Sequence, residues 1–220
     1  TVFLGYNNQA LMSDLTDWFD CRDVWTYRTK HMGTDVISGV WVNLIGATTP
    51  DLIKTTLPRD AIGGGLTSRM IFVFEPRKEK TVVSPFLSEE AMIVQKQLVE
   101  DLQQICVMSG KMTVNDGFID RWVPWYTACD NGPPPFNDNN FAGYFERRPT
   151  HLLKLCMIVC ASRGGGMVIT EEDFDRALEI LEKTEKKMPY AFSGYGKNPA
   201  SGVMESITRF IHKRGVVAYD

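Results

Sequence analysis

The stretch Val40-Trp-Val-Asn-Leu-Ile-Gly-Ala-Thr-Thr-Pro-Asp51 decides the fold class. Residues 40–45 form a nearly continuous apolar run, the pattern of a strand covered on both faces in a parallel sheet. The second half predicts a helix: Thr49 is a natural N-cap, Pro50 suits the first helical position, and Asp51 favours the positive helix end. That helix must stop before Pro58. Gly63-Gly64-Gly65 reads as a flexible hinge, and Met70-Ile-Phe-Val-Phe74 after it reads as a second buried strand. Two buried strands joined through a helix predict an α/β sheet, with more strands expected upstream of residue 1.

Upstream of this stretch, Leu11, Leu15, Trp18 and Phe19 recur at helical spacing, predicting an amphipathic helix over residues 9–19. Trp25-Thr-Tyr-Arg-Thr-Lys30 alternates and is rich in aromatic and β-branched types. It predicts a short strand with Val36-Ile37 as hairpin partner across Met32-Gly33. Beyond Pro85 the pattern turns helical. One long helix starts at Ser88 and carries Met92, Val94, Leu98, Leu102 and Ile105. Others are expected over residues 115–129, 141–162 and 171–188. Asn131-Gly-Pro-Pro-Pro135 breaks the series, and Met167-Val-Ile169 forms a short strand. Thr170-Glu-Glu-Asp173 is a capping box. A last helix over residues 199–213 leads to Val216-Val217, read as the start of a β-wing. The expected organisation is an α/β part over residues 1–85, a helical part over 86–190, and the opening of a winged-helix module over 191–220.

The chain of 220 residues is 44% hydrophobic and 23% charged, which suits a globular domain with a core. Its net charge of −3 lacks the basic footprint of a simple nucleic-acid binder, although a local basic loop remains compatible with it. The five cysteines are an odd number without a paired framework, which fits a reducing compartment. No apolar run approaches the roughly 20 residues of a membrane span. No export signature opens the chain, and it lacks an initiator Met, so it reads as part of a longer cytoplasmic protein.

Three segments carry chemical information. Thr48 and Thr49 lie at the carboxyl end of a predicted strand, where open α/β sheets bind ligands. Capping the next helix is the plainer role for them. Ser68 and Arg69 follow a glycine loop, and an arginine so placed suits phosphate oxygens. A plain surface arginine is the alternative. Glu146-Arg-Arg-Pro-Thr150 offers Arg147 and Arg148 either as nucleotide contacts or as solvated arginines. No Gly-Lys-Ser/Thr phosphate loop occurs, and Ser193-Gly-Tyr-Gly-Lys197 is followed by Asn-Pro. Cys156 and Cys160, with His151 nearby, lie in an apolar stretch and read as core thiols rather than metal ligands.

In order, Asn8-Gln-Ala-Leu-Met-Ser-Asp-Leu-Thr-Asp-Trp-Phe-Asp-Cys21, Trp25-Thr-Tyr-Arg-Thr-Lys30, Asn43-Leu-Ile-Gly-Ala-Thr-Thr-Pro-Asp51 and Ala61-Ile-Gly-Gly-Gly-Leu-Thr-Ser-Arg-Met-Ile-Phe-Val73 resemble the ATPase region of phage and plasmid primase-helicases. These are ring-forming P-loop motors of the AAA+ type. The resemblance implies an α/β remnant of a P-loop core, an all-helical lid and a winged-helix start. It implies that Thr48 and Thr49 tip the sensor strand, that Ser68-Arg69 supplies an arginine finger, and that Arg147 or Arg148 is a second sensor. It places Arg28, Lys30 and His31 on a hairpin that contacts single-stranded DNA. ATP and Mg would serve the parent protein, which would self-associate into a ring in the bacterial host cytoplasm. The phosphate loop and the acidic magnesium pair would lie upstream, so this piece alone is expected to hydrolyse nothing and hold no cofactor. A non-catalytic nucleic-acid- or protein-binding module of a replication protein is the other reading, and the acidic charge fits it.

Overall fold

The computed structural model describes residues 9–29, 33–57, 61–83, 86–164 and 166–192. Helix α1 (Gln9–Trp18) leads through a turn into a hairpin of β1 (Val24–Thr29) and β2 (Gly33–Ser38). The hairpin is antiparallel, with Trp25 opposite Ile37 and Arg28 opposite Thr34. Helix α2 (Pro50–Thr56) follows, then a single 3-10 turn at Thr67–Arg69. The rest is largely helical: α3 (Glu89–Cys106), α4 (Asp116–Asn131), α5 (Ala142–Arg163) and α6 (Glu171–Glu185). Strand β3 (Thr113–Val114) pairs in parallel with β4 (Val168–Ile169) and clips α4 to the α5–α6 connection. A closing 3-10 segment spans Met188–Phe192. The result is a mostly helical chain with two small two-stranded sheets. The expected winged-helix start over residues 199–213 and 216–217 lies outside the described residues.

Capping residues set most helix starts where the sequence predicts them. Thr49 accepts a hydrogen bond from the Leu52 N–H, Ser88 from that of Ala91, and Asn115 from that of Phe118. At the predicted capping box the Asp173 carboxylate reaches back to both the N–H and the hydroxyl of Thr170, at 2.9 and 3.1 Å.

The core is built around α5, whose Leu152, Cys156 and Cys160 are fully buried against Phe174, Ala177 and Leu181 of α6. Ile53 and Leu57 from the α2 region join the same cluster, so one core runs through both the first part of the chain and its helical part. Phe141 is its aromatic hub, edge-on to Phe72, Phe136, Tyr144 and Phe192. Such pairs add about 1 kcal/mol each beyond their buried area.

Both predicted buried strands differ from expectation. Residues 40–45 belong to no helix or strand and have no ladder partner among the described residues, and Trp41 and Ile45 are 77% and 98% exposed. Residues 70–74 are also outside any ladder; Phe72 turns into the core while Val73 stays exposed. A strand requires a neighbour to hydrogen-bond, and an apolar run without one forms no sheet. The α3 stripe of Val94, Leu98 and Leu102 is likewise exposed, and no residue of that helix is buried.

Candidate functional site

The turn that follows α1 carries Phe19, Asp20 and Cys21. Cys21 closes it with φ of 50°, a left-handed conformation that costs a non-glycine residue about 1 kcal/mol. Asp20 is thereby set where two arginines reach it. Its Oδ2 lies 3.4 Å from Arg69 and its Oδ1 3.4 Å from Arg147. The two guanidiniums and the Lys154 ammonium all face the Phe19 ring, at 5.8, 5.9 and 3.5 Å from its centroid. Lys154 also donates to the Phe19 carbonyl at 2.7 Å. Three cations and one carboxylate thus share a few ångströms of surface.

The Thr67–Arg69 turn is firmly seated, in contrast to the flexible hinge that the triple glycine suggests. Thr67 Oγ1 accepts from the Gly63 N–H and donates to the Ala61 carbonyl, and Ser68 Oγ donates to the Gly65 carbonyl. Arg69 donates to the Gly65 carbonyl at 2.8 Å. Gly143 of α5 lies against this turn: a Cβ there would meet the Gly63 carbonyl oxygen at 2.9 Å and Ser68 Cβ at 3.1 Å. His151, also of α5, hydrogen-bonds the Ser68 carbonyl at 2.9 Å and stacks on Tyr144. Burial holds its imidazole pKa below the ordinary value.

The two adjacent arginines have different environments. Arg148 is buried and makes a bidentate pair with Glu185, at 2.6 and 2.8 Å, beneath Trp125. Tyr144 donates to the same carboxylate at 2.9 Å. Burial alone lowers an arginine pKa, but the Glu185 hydrogen bonds and charge outweigh it and push that of Arg148 up, while burial and the same carboxylate push the Tyr144 phenol up. Arg148 therefore holds the core together, and Arg147 is the one that faces outward.

Thr49 caps α2, and Thr48 is exposed in the extended stretch before it. No hydrogen bond or ion pair among the described residues joins either threonine to the Asp20 cluster. The Ser68 side chain is turned into its own loop. Arg28 is exposed on β1, and Lys30 and His31 lie outside the described residues. On one hairpin face Trp25 and Tyr27 stack at 5.8 Å, and Trp18 meets Trp25 edge-on at 5.3 Å. Among the described residues no group of three His, Cys, Asp or Glu is placed to hold a metal ion, and no helix is long and apolar enough to cross a membrane. Cys156 and Cys160 are buried core thiols, as their apolar stretch predicts.

Sequence reading missed Asp20, Lys154 and the role of His151. One signal was present: Arg147, His151 and Lys154 follow at four- and three-residue spacing, which puts them on one face of the helix. Asp20 had no comparable signal, because only the fold brings it to residues 49 and 127 positions away. No protein-family model, curated protein or solved structure matches the chain.

Proposed function

We propose that the chain supplies the phosphate-sensing face and DNA-contacting hairpin of an ATP-driven replicative helicase of the primase-helicase type. The observation that carries this reading is the meeting of Arg69 and Arg147 on Asp20, two residues along the chain from Trp18, which braces the hairpin through Trp25. Arg69 and Arg147 act as a pair on the terminal phosphate of ATP and Mg held by the neighbouring subunit of a ring, neutralising charge as phosphoryl transfer proceeds. Thr48 contacts the nucleotide from the extended stretch before α2. The hairpin meets single-stranded DNA through the exposed Tyr27 ring and Arg28, and Lys30 and His31, which fall between its two strands in sequence, are the further contacts we expect. Because Trp18, Phe19 and Asp20 are consecutive, a change at the phosphate end has a three-residue path to the hairpin.

The test is DNA-stimulated ATP hydrolysis by the complete protein that contains this chain. Arg69→Ala is expected to lower kcat by about a thousandfold, and Tyr27→Ala to remove stimulation by single-stranded DNA. A complete protein without ATPase activity, or an Arg69→Ala variant with unchanged turnover, refutes the motor and leaves the non-catalytic binding module.

A further inference from the structure

The Asp20 pairs are unlike the other arginine–carboxylate contact at this end of the molecule. Glu185 holds Arg148 bidentately at 2.6 and 2.8 Å, whereas Asp20 offers each arginine one oxygen at 3.4 Å. Good charge-assisted hydrogen bonds run about 2.7–2.9 Å, so neither arginine is well matched by this carboxylate. Donors here also outnumber acceptors. The two buried side-chain nitrogens without a hydrogen-bond partner among the described residues are Arg69 Nε and Trp18 Nε1, both at this cluster or its edge. The Arg69 side chain is only 10% exposed, so water is a poor substitute for the missing acceptor. Lys154 adds a third cation, fixed on Phe19 next to Asp20 in the chain. Three positive charges gather around the Phe19 ring, and the adjacent Asp20 carboxylate pairs with two of them.

We propose that Arg69, Arg147 and Lys154 form a single phosphate-binding site, and that Asp20 is its built-in competitor. A phosphate group brings more charge than a carboxylate and a third acceptor oxygen, which suits three cations better than two oxygens do. Asp20 is 38% exposed on a turn outside the core, so it can swing into solvent without disturbing buried packing. Lys154 is the specificity element: it distinguishes a multiply charged phosphate from a simple carboxylate, which the two arginines alone already accommodate. The naming of that phosphate as the end of a nucleotide rests on the proposed function; the site itself does not.

The experiment is calorimetric titration of the 220-residue chain with inorganic tripolyphosphate at low salt. Asp20→Asn is expected to tighten binding about fivefold, since two partly exposed ion pairs no longer compete. Lys154→Met is expected to weaken it about tenfold, and Lys154→Arg to restore most of the loss. Asp17→Asn makes the same change in net charge from the α1 face, pairs with Arg22 in the wild type, and is expected to have no effect. Circular dichroism melts confirm that each variant is folded. The proposal is overturned by an Asp20→Asn chain that binds no tighter than wild type, by equal tightening in Asp17→Asn, or by the absence of binding in every folded variant. Should the binding pattern hold while Arg69→Ala leaves ATP hydrolysis intact, the phosphate site stands and the motor reading falls. Should the pattern fail while Arg69→Ala abolishes turnover, the motor stands and Asp20 is a plain surface partner.

Discussion

His151 Nε2 lies 2.9 Å from the backbone oxygen of Ser68, which ties α5 to the turn that carries Arg69. A carbonyl can only accept, so the neutral ring carries its proton on Nε2. Burial depresses the imidazole pKa; the Ser68 carbonyl opposes this, while Lys154 and Arg147 reinforce it. Below about 6.5 the unfolded chain therefore binds a proton that the folded one resists. This contribution to stability is full above that value and declines as pH falls through it, levelling off below the folded-state pKa. Chemical denaturation at about pH 7.5 and about pH 5.5 should show a lower midpoint at the acidic end, with a flatter profile for His151→Gln. An equally steep profile in the variant assigns the loss to another group.

Arg147 and Arg148 are adjacent yet should respond very differently to truncation. Arg148→Ala leaves Glu185 charged, buried and without its strongest partner, which costs about 3–5 kcal/mol. Arg147→Ala removes one partly exposed pair worth about 1 kcal/mol or less. Urea titration of both variants checks the contrast, and equal losses contradict it.

Gly143 is needed for the close approach of α5 to the Thr67–Arg69 turn. Gly143→Ala forces the Gly63 carbonyl and Ser68 to move, at a cost of about 1–3 kcal/mol. The same shift drags Arg69 with it. The variant should therefore lose both melting temperature and tripolyphosphate affinity, whereas a purely local repacking would lower the melting temperature alone.

The five cysteines should separate by reactivity. Burial, with the nearby Asp173 charge adding to it, pushes the Cys156 thiol up to about 12, and the thiolate is the reactive form. Cys21 and Cys106 are exposed. Brief alkylation followed by peptide mass spectrometry is expected to mark Cys21 and Cys106 first. Cys156 should react only after the chain is unfolded, and early labelling there contradicts the packed core.

Local signals made the helices legible. Thr49, Ser88 and Asn115 all act as caps, and the Asp173 reach-back was visible in a four-residue motif. The Trp25–Ile37 hairpin was equally legible, because alternation and a glycine turn act over about ten residues. The sheet was not. Residues 40–45 and 70–74 carry the composition of buried strands, but composition cannot supply the neighbouring strand that makes one. The site was legible in half: Arg69 and Arg147 stood out by type and position, while choosing between Arg147 and Arg148 required knowing where Glu185 lay. Asp20 and Lys154 acquire meaning only from contacts across 49 to 135 residues.

The run Val40-Trp-Val-Asn-Leu-Ile45, exposed from Trp41 onward, has a consequence for handling the chain. It contains no charge, proline or glycine and is dominated by β-branched, aromatic and aliphatic residues. Beyond Val40, whose N–H donates to the Arg22 carbonyl, its backbone has no ladder partner among the described residues. Such a segment is a template for cross-β stacking between copies, with identical side chains interdigitating. Concentrated solutions of the isolated chain should therefore tend toward fibrillar aggregation nucleated at Trp41, and a single charge at Val42 or Leu44 should act as a gatekeeper against it.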